Sequence, residues 1–383
     1  MKIRIERDAL VDAVAWTSRA LAGRGGSIGI GIEAEGDTVT LTAFDRETSA
    51  RAEFEAVVEQ PGSTLVAGRL LSDIAKALPA APVVLQLAGT SLDLTCGRSA
   101  FTLPVIEGGE FPAMMELPPT IGTVSGALLA DAVNQVAGSA STLDNLQHLT
   151  GVRVEFAPSA VTLAATDRFR LAVRELEWKP TFSTADNAVL VPAGRLADIS
   201  KGLADCEEVT IYAPATGATN LVGFSGKSKT GMTRSIATNL LNATFPDRYR
   251  DLLPAESPVV VYVNTQELLG ALKRVRLVLD SSTGSVNAFV AVKISDGEIE
   301  LSARGMAHTE ATEVIAADNV GEIERVQFNP AYFIEGLAAL GMPYVRLGFT
   351  IATKPVLITG AKEPGAEPEL DFRYLLMPMR GQG

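Results

Sequence analysis

Residues that could do catalytic chemistry are sparse in this 383-residue chain. His148 and His308 are its two histidines and lie far apart in the sequence, whereas zinc sites and Ser-His-Asp triads need such ligands brought together. The run Asp205-Cys206-Glu207-Glu208 has no further ligand at metal-binding spacing and is interpreted as a solvated turn. We therefore expect no catalytic residue, no metal and no cofactor.

Two glycine patterns formally resemble phosphate-binding loops. Gly29-x-Gly31 lies in an alternating segment that leads to a hairpin turn, whereas a dinucleotide site needs a helix N-terminus after its glycines. Leu221 stands where a phosphate loop ending in Gly226-Lys227-Ser228 needs its first glycine. Neither pattern predicts a nucleotide cofactor.

Charge gives a conflicting signal about nucleic acid. The formal net charge is −12, from 33 basic and 45 acidic residues, and DNA-binding domains are usually basic. Several cations nevertheless fall on or beside segments with helical periodicity: Arg69, Lys76, Arg195, Lys201, Lys273, Arg274 and Arg276. Such charges usually mark a solvated helix face, but on helices that all face one way they would form a basic surface.

Compartment signals point to the cell interior. The two cysteines, Cys96 and Cys206, are expected to be separate, buried and free of any disulfide. No apolar stretch approaches the roughly 18 residues of a membrane helix, and the N-terminus does not resemble a signal peptide. We expect a soluble, cytoplasmic protein that does not bind membranes.

The strongest signal is an internal repeat. VTLTAFDR at positions 39–46 returns as VTLAATDR at positions 161–168, an offset of 122 residues, and Glu53 and Glu175 keep that offset. Downstream, DIxKxL at position 73 returns at position 198. Landmarks that repeat in order and spacing indicate duplicated domains, because solenoid repeats span only about 20 to 50 residues.

A third copy is fainter. Residues 298–303 match the second copy at an offset of 138, and Glu313 falls where Glu175 predicts it. Proline clusters at Pro118-Pro119 and Pro254–Pro258 separate the copies, since proline ends regular elements. The sequence predicts three domains: residues 1–118, 119–254 and 255–383.

Each copy combines helices with short strands. Helices are expected at Asp8–Leu21, Gly126–Ser139 and Thr265–Leu279, where apolar residues recur at helical spacing. Alternating residues 27–33, a turn at 35–37 and the strand from Val39 predict a hairpin. Helices on one side of antiparallel strands give an α+β domain.

These residues resemble a known family, the bacterial replicative sliding clamp, which is the beta subunit of DNA polymerase III. The resemblance rests on the three related domains, the segment ATDRFRLAV at 165–173, the element FPDxYR at 245–250 and the tail YLLMPMR at 374–380. It covers essentially the whole chain. It implies three DNA-clamp domains per chain, with antiparallel sheets outside and helices lining the hole of a dimeric ring.

The resemblance also implies a function without catalysis. A homodimeric ring would encircle double-stranded DNA and slide without sequence specificity, because weak phosphate contacts hold DNA without fixing register. Its implied partners are the replicative DNA polymerase, a clamp loader and other proteins with clamp-binding motifs. The candidate DNA contacts are Arg24, Arg69, Lys76, Arg195, Lys201, Lys273 and Arg274.

A dock for partner peptides is implied between the second and third domains. Methionines and prolines there would form an adaptable apolar surface, with arginines fixing polar groups. Its expected residues are Leu149, Thr166, Arg168, Phe169, Arg170, Leu171, Pro246, Arg250, Asn329, Tyr332, Pro355, Met377, Pro378, Met379 and Arg380.

The chain departs from the family pattern at several positions. Arg168-Phe169 replaces a usual Gly-His pair, Gly381-Gln382-Gly383 lacks an apolar residue after Arg380, residues 24–31 lack prolines, and Asn287 stands in place of an aromatic residue. These changes leave open a diverged clamp copy, encoded by a mobile element or resistant to an inhibitor, with a narrower partner set. A metal-dependent hydrolase is the other alternative, although Asp45, Asp167 and Gly305 do not keep a shared acid.

Overall fold

The computed structural model describes residues 1–21, 29–108, 111–181, 187–214, 219–280, 289–305 and 309–379. Within these ranges the order of elements repeats three times: one strand, an α-helix, five strands, a second α-helix and three strands. Arg24, Asn287, His308 and Arg380 lie outside the described residues.

The first copy begins with a strand and with a helix that is shorter than the expected Asp8–Leu21. Helix α1 ends at Thr17 and a 3₁₀ turn, Ser18–Leu21, completes the expected segment. Gly36, at φ +61°, provides the left-handed turn of the expected hairpin, a conformation that glycine adopts without strain. The elements are β1 Lys2–Ile5, α1 Arg7–Thr17, β2 Gly29–Glu35, β3 Thr38–Phe44, β4 Thr48–Glu55, β5 Val57–Gln60, β6 Gly62–Ala67, α2 Gly68–Ala77, β7 Val83–Ala88, β8 Ser91–Cys96 and β9 Ser99–Pro104.

The second copy follows the same order. Its first helix ends two residues before the expected Ser139, whose N–H bonds the carbonyl of Val136 in a tighter turn. The elements are β10 Thr120–Val124, α3 Gly126–Ala137, β11 Gly151–Phe156, β12 Val161–Thr166, β13 Arg170–Leu176, β14 Lys179–Pro180, β15 Asn187–Pro192, α4 Ala193–Leu203, β16 Val209–Tyr212, β17 Leu221–Lys227 and β18 Thr233–Asn239.

The third copy has the longest of these helices. The apolar residues that recur at helical spacing in its first helix share a buried face: Leu268, Leu272 and Val275 are at most 1% exposed. The elements are β19 Val259–Asn264, α5 Thr265–Asp280, β20 Val290–Ser295, β21 Glu298–Arg304, β22 Glu310–Ala316, β23 Asp318–Val320, β24 Ile323–Phe328, α6 Pro330–Ala339, β25 Tyr344–Phe349, β26 Val356–Ala361 and β27 Glu369–Leu376.

The described strands form four sheets, in which strand pairs such as β13–β27 and β4–β18 are antiparallel. Two sheets have nine strands, in the orders β14-β10-β16-β17-β18-β4-β3-β2-β6 and β15-β11-β12-β13-β27-β26-β25-β19-β23. The other two have five and four strands, in the orders β5-β1-β7-β8-β9 and β22-β21-β20-β24. Each nine-stranded sheet therefore joins strands of two successive copies.

Contacts divide the chain into two compact units. The first comprises Met1–Val133, Glu155–Val161 and Glu177–Asn242, and the second comprises the remaining residues to Gly383. The first unit contains the β4–β18 pairing, and the second contains the β13–β27 pairing.

The two cysteines are buried, as the sequence predicts. Cys96 and Cys206 are free and buried, and burial, with the charge of Asp205, raises the pKa of the Cys206 thiol. Both residues thus behave as small apolar side chains. No helix in the described part of the chain is long and apolar enough to cross a membrane.

Candidate functional site

The turn between β12 and β13 carries an exposed aromatic side chain, Phe169. Asp167 shapes this turn, because its Oδ1 accepts the N–H groups of Phe169 at 2.9 Å and Arg170 at 3.1 Å. Arg168 adopts φ +82° and donates its N–H to Thr166 Oγ1 at 3.1 Å. Such side-chain bonds to nearby N–H groups stabilise tight turns. The turn leaves Arg168 exposed and Phe169 54% exposed.

Arg170 fixes this turn to the rest of the second unit. Its Nε bonds Asp167 Oδ2 at 3.0 Å, one terminal nitrogen pairs with Glu335, and the other donates to the Gly138 carbonyl at 2.5 Å. The side chain is only 8% exposed, so these partners are needed to offset the cost of burying its charge. Arg170 is therefore a positioning residue with little capacity left for a ligand.

Tyr332 provides the second aromatic ring. It lies in the first turn of α6, which Asn329 caps by accepting the N–H groups of Ala331 at 2.9 Å and Tyr332 at 3.4 Å. A side-chain cap of this kind sets where a helix begins. Burial, with the charge of Asp167, raises the pKa of the Tyr332 hydroxyl, which stays neutral at neutral pH. The Phe169 and Tyr332 rings stack with centroids 6.5 Å apart and planes 24° apart.

The end of the described chain adds methionines to this region. β27 pairs with β13, Leu376 opposite Arg170, and then Met377 donates its N–H to the Phe169 carbonyl at 2.9 Å. Met379 donates its N–H to the Gln327 carbonyl at 2.7 Å, two residues before Asn329. Met377 is 41% exposed. We call Phe169, Tyr332 and Met377–Met379 the tail patch.

The other expected dock residues differ in how far they are exposed. Leu149 and Leu171 are each 2% exposed, so they belong to the core. Pro355 precedes β26, and the Val356–Leu376 pairing puts it across from Met377. Pro246 and Arg250 are exposed near the 3₁₀ helix Tyr249–Leu252.

Three residues that stabilise this region were not predicted as site residues. Asp167 and Glu335 hold Arg170, and the buried Tyr374 donates its hydroxyl to the Tyr332 carbonyl at 2.9 Å. Asp167 could have been identified from the repeated Asp-Arg pair, which is Asp45-Arg46 in the first copy and Asp167-Arg168 in the second. The Glu335 contact spans 165 positions, and no local pattern indicates it.

The candidate DNA-contacting cations lie on helices, as expected, but differ in their partners. Arg69 and Lys76 on α2, Lys201 on α4 and Lys273 on α5 are exposed. Arg274, also on α5, makes two hydrogen bonds to Glu313, at 2.8 and 2.6 Å. These bonds raise the pKa of Arg274 and lower that of Glu313.

Arg195 is held inside the first unit. It bonds Asp45 Oδ2 at 2.9 Å and the Arg19 carbonyl at 2.8 Å, and the Asp45 side chain is fully buried. Its guanidinium therefore has internal partners that compete with a phosphate.

Comparison with known proteins identifies the family. Family models for the N-terminal, central and C-terminal domains of the DNA polymerase III beta subunit match residues 1–115, 123–247 and 250–380. Within the described residues, no group of three or more His, Cys, Asp or Glu could hold a metal ion.

Relatives match over the full length. The beta sliding clamp of Streptomyces coelicolor is 39% identical over 387 residues, covering 100% of both chains. The beta sliding clamp homolog GriR of Streptomyces muensis is 38% identical over 383 residues, covering 99% of both. The crystal structure of the Bacillus subtilis DNA polymerase sliding clamp superposes with a TM-score of 0.86 at 27% identity, covering 100% of this chain and 99% of that one. The chain therefore belongs to the family of DNA polymerase III beta subunits, the sliding clamps, which are non-enzymatic processivity factors.

Proposed function

We propose that two copies of this chain close head to tail into a ring that encircles double-stranded DNA and slides along it. The ring tethers the replicative polymerase, a clamp loader and other motif-bearing proteins through the tail patch. Loading of a closed ring requires a separate machine that opens it. Because chromosomal DNA is the track, the proposed location is the cytoplasm.

The observation that carries the ring is a pair of sheet edges that have no neighbouring strand among the described residues. β4 pairs with β18, the last strand of the second copy, and β13 pairs with β27, the last strand of the third. Their counterparts are β22 in the third copy and β9 in the first, which lie at the ends of the four- and five-stranded sheets. Joining β22 of one chain to β9 of a second chain makes a third nine-stranded sheet with the same order of elements. A contact between different surfaces closes after two copies if the rotation allows it.

Equivalent backbone bonds set the expected register of this new pairing. In each of the three repeats, a residue beyond the last strand donates its N–H to a backbone carbonyl in the strand that precedes the second helix. The three bonds join Ile106 to Leu65, Leu241 to Leu190 and Met379 to Gln327. These bonds relate β9, β18 and β27 residue by residue.

The observed pairings then predict the contacts across the new seam. Arg51 faces Ser235 in the first seam and Val173 faces Arg373 in the second. The corresponding residues in the new seam are Ala311 of one chain and Ala100 of the other chain.

Charge and apolar exposure support this pairing. The same register brings Glu313 of β22 opposite Arg98, which precedes β9. Phe101 of β9 is 36% exposed and Val314 of β22 is 53% exposed. Exposed edge strands with apolar side chains pair readily with another chain, and opposite charges across strands favour one register.

The ring is tested by an engineered cross-link. The double variant Ala100→Cys/Ala311→Cys should form a covalent dimer on oxidation, because opposite residues in a sheet lie within disulfide reach. Ala100→Cys/Glu313→Cys is the matched control, since diagonal neighbours lie about 7 to 8 Å apart. A monomeric mass at micromolar concentration, or equal cross-linking in both variants, would contradict the proposed ring.

DNA contact in this proposal comes from exposed helix cations. Arg69, Lys76, Lys201 and Lys273 can reach phosphates without reading bases, which allows sliding and gives steep salt dependence. Arg195 and Arg274 contribute less, because carboxylates already hold them. The net charge of −12 disfavours DNA binding elsewhere on the surface.

A diverged clamp with a narrower partner set is the second candidate. The observation that favours it is the bulky Phe169, which stacks on Tyr332. Arg168-Phe169 stands where a Gly-His pair is usual in the family. Identities of 39% to a clamp and 38% to a clamp homolog do not separate the two. Binding measured against peptides from several clamp partners separates them: a general clamp binds most with similar affinity, whereas a diverged copy binds few.

A further inference from the structure

The helices of the three copies correspond residue by residue. Buried side chains recur in step along them: Leu10, Leu129 and Leu268 in α1, α3 and α5, and Leu71, Leu196 and Phe333 in α2, α4 and α6. Equivalent positions can therefore be compared at three places. Two are the junctions inside the chain, where β4 meets β18 and β13 meets β27. The third is the proposed seam, where β22 meets β9 of a second chain.

Helices of successive copies meet at equivalent points of the two junctions. At the first junction, Trp16 of α1 packs on α4, where a Cβ on Gly202 would lie 2.7 Å from the Trp16 ring. At the second, Gln135 of α3 donates its side-chain N–H to the carbonyl of Ala339 in α6 at 2.8 Å. A first helix of one copy thus lies beside the end of a second helix of another.

The seam has its own helix pair. The residues equivalent to those contacts are Arg274 of α5 and Ala77 of α2. Joining β22 to β9 of a second chain therefore places α5 of one chain beside the end of α2 of the other. Lys273 and Lys76 come directly before the two contact residues, and both are exposed.

The three helix pairs differ in net charge. Helices α1 and α4 carry three basic and three acidic residues, and α3 and α6 carry two acidic residues and no basic one. Helices α2 and α5 carry five basic and three acidic residues, a net charge of +2. The excess of positive charge thus falls on the pair that two different chains supply.

Ion pairs inside the chain do not balance this excess. Arg274 is bound by Glu313 through two hydrogen bonds. Lys76 and Lys273 form no ion pair with any residue that the structure describes. Like charges that face each other oppose contact, and screening is weak at low salt. Without a counterion, the cations therefore weaken the seam that the backbone pairing forms.

We infer that DNA phosphates contact cations of both chains at this seam and thereby hold the ring closed. The inference rests on the proposed ring and goes beyond it, because DNA becomes a ligand that stabilises the dimer. Phosphates near Lys76 of one chain and Lys273 of the other neutralise both without reading bases. By linkage, the closed ring binds duplex more tightly than separate chains do, by the factor by which duplex stabilises the dimer.

Exchange of chains between dimers tests this coupling, because a chain leaves only when the seams open. Dimers labelled at the N-terminus with a donor or an acceptor dye are mixed at low salt, with and without a blunt duplex of about 20 base pairs. A ligand specific to the dimer, at about ten times its dissociation constant, would stabilise the dimer about elevenfold. Because single chains keep part of the affinity, we expect the duplex to slow exchange about fivefold.

Two glutamine variants separate the seam from DNA binding in general. Lys76 of α2 and Lys201 of α4 hold equivalent positions and are both exposed, so Lys76→Gln and Lys201→Gln should weaken duplex binding to a similar, small degree. Lys76→Gln should also slow exchange without DNA about two- to fivefold, the range of an exposed charge pair, and reduce the effect of the duplex. Lys201→Gln, at a junction inside the chain, should leave exchange without DNA unchanged.

The outcomes distinguish this inference from the ring itself. Melting temperatures equal to that of the native protein show that both variants are folded. If bound duplex leaves native exchange unchanged, or if the two variants exchange alike without DNA, the inference fails and the ring stands. A monomeric mass, or no duplex binding by the native protein, contradicts the proposed function and the inference with it.

Discussion

The two junctions between successive copies have the same backbone and different side chains. At the first, Asp45 Oδ1 accepts the N–H groups of Glu47 and Thr48, and the Glu47 carbonyl accepts the N–H of Asn239. At the second, Asp167, Phe169, Arg170 and Met377 make the corresponding bonds. Both turns therefore hold the chain at the end of a last strand in the same way.

The difference lies in the residue on the neighbouring helix. At the first junction Arg195 of α4 reaches the fully buried Asp45 carboxylate. Tyr332 holds the equivalent position in α6, and there Asp167 is bound by Arg170 from its own turn. An arginine closes one junction with an ion pair, while an aromatic ring leaves an apolar patch at the other. Under the proposed function, a binding surface arises from a structural joint by side-chain change alone.

Removing the tail should have the largest effect on the second junction. Deleting residues 377–383 removes the methionines of the tail patch, and interface anchors are each worth about 2 kcal/mol or more on truncation. We expect peptide affinity to fall at least about a hundredfold, since about 1.4 kcal/mol corresponds to tenfold. Isothermal titration with a clamp-binding peptide measures this, with dimer mass and melting temperature checked in the same samples. Unchanged affinity in the folded protein would remove the dock from the tail.

Breaking the Arg195–Asp45 ion pair at the first junction should lower the free energy of unfolding and not the affinity for peptides. Arg195→Ala leaves the buried Asp45 carboxylate without its cation, and breaking such a pair on one side is strongly destabilising. Because the Arg195 side chain is 20% exposed and water can enter, we expect a loss of about 2 to 3 kcal/mol in unfolding free energy. Urea denaturation measures it, with Lys201→Ala on the same helix as a control within about 0.5 kcal/mol. If Arg195→Ala left the free energy of unfolding unchanged, the ion pair would not stabilise this junction.

Equivalent residues on the two turns should differ in their effect on binding. Phe169→Ala removes an exposed ring of the tail patch and should weaken peptide binding about tenfold, with little change in melting temperature. Glu47→Ala, at the corresponding position of the first junction, should leave peptide affinity unchanged. Equal weakening by both substitutions would indicate that peptides do not distinguish the junctions.

The smallest expected effect concerns DNA. Lys201 is exposed on α4, whereas Arg195 on the same helix is bound by Asp45. Lys201→Ala should lower the slope of log affinity against log salt by about 1 if it contacts one phosphate. Arg195→Ala should change that slope less, measured at a temperature where the variant is folded. If Arg195→Ala lowered the slope more than Lys201→Ala, Arg195 would be a DNA-contacting residue after all.

Much of this architecture could be predicted from the sequence, because repeated landmarks and helical periodicity are local signals. The three-fold order of elements, the α5 face and the hairpin at Gly36 follow from them. Partnerships across long separations could not be predicted. Nothing near Arg195 indicates that it meets a buried carboxylate 150 positions away, so its sequence context predicts an exposed cation. Leu171 lies in the motif at residues 165–173 with other expected dock residues, but motif membership does not specify which side chains are buried.

The central claim is a closed ring around DNA, and a topological experiment tests it most directly. Dissociated subunits of Ala100→Cys/Ala311→Cys are concentrated in the presence of a closed circular plasmid and then oxidised. If β22 and β9 close the ring, the covalent dimer should remain on the circle in sodium dodecyl sulfate, which abolishes ordinary binding, and leave after one restriction cut. Covalent dimer that leaves intact circles in detergent as readily as linear DNA would contradict the ring.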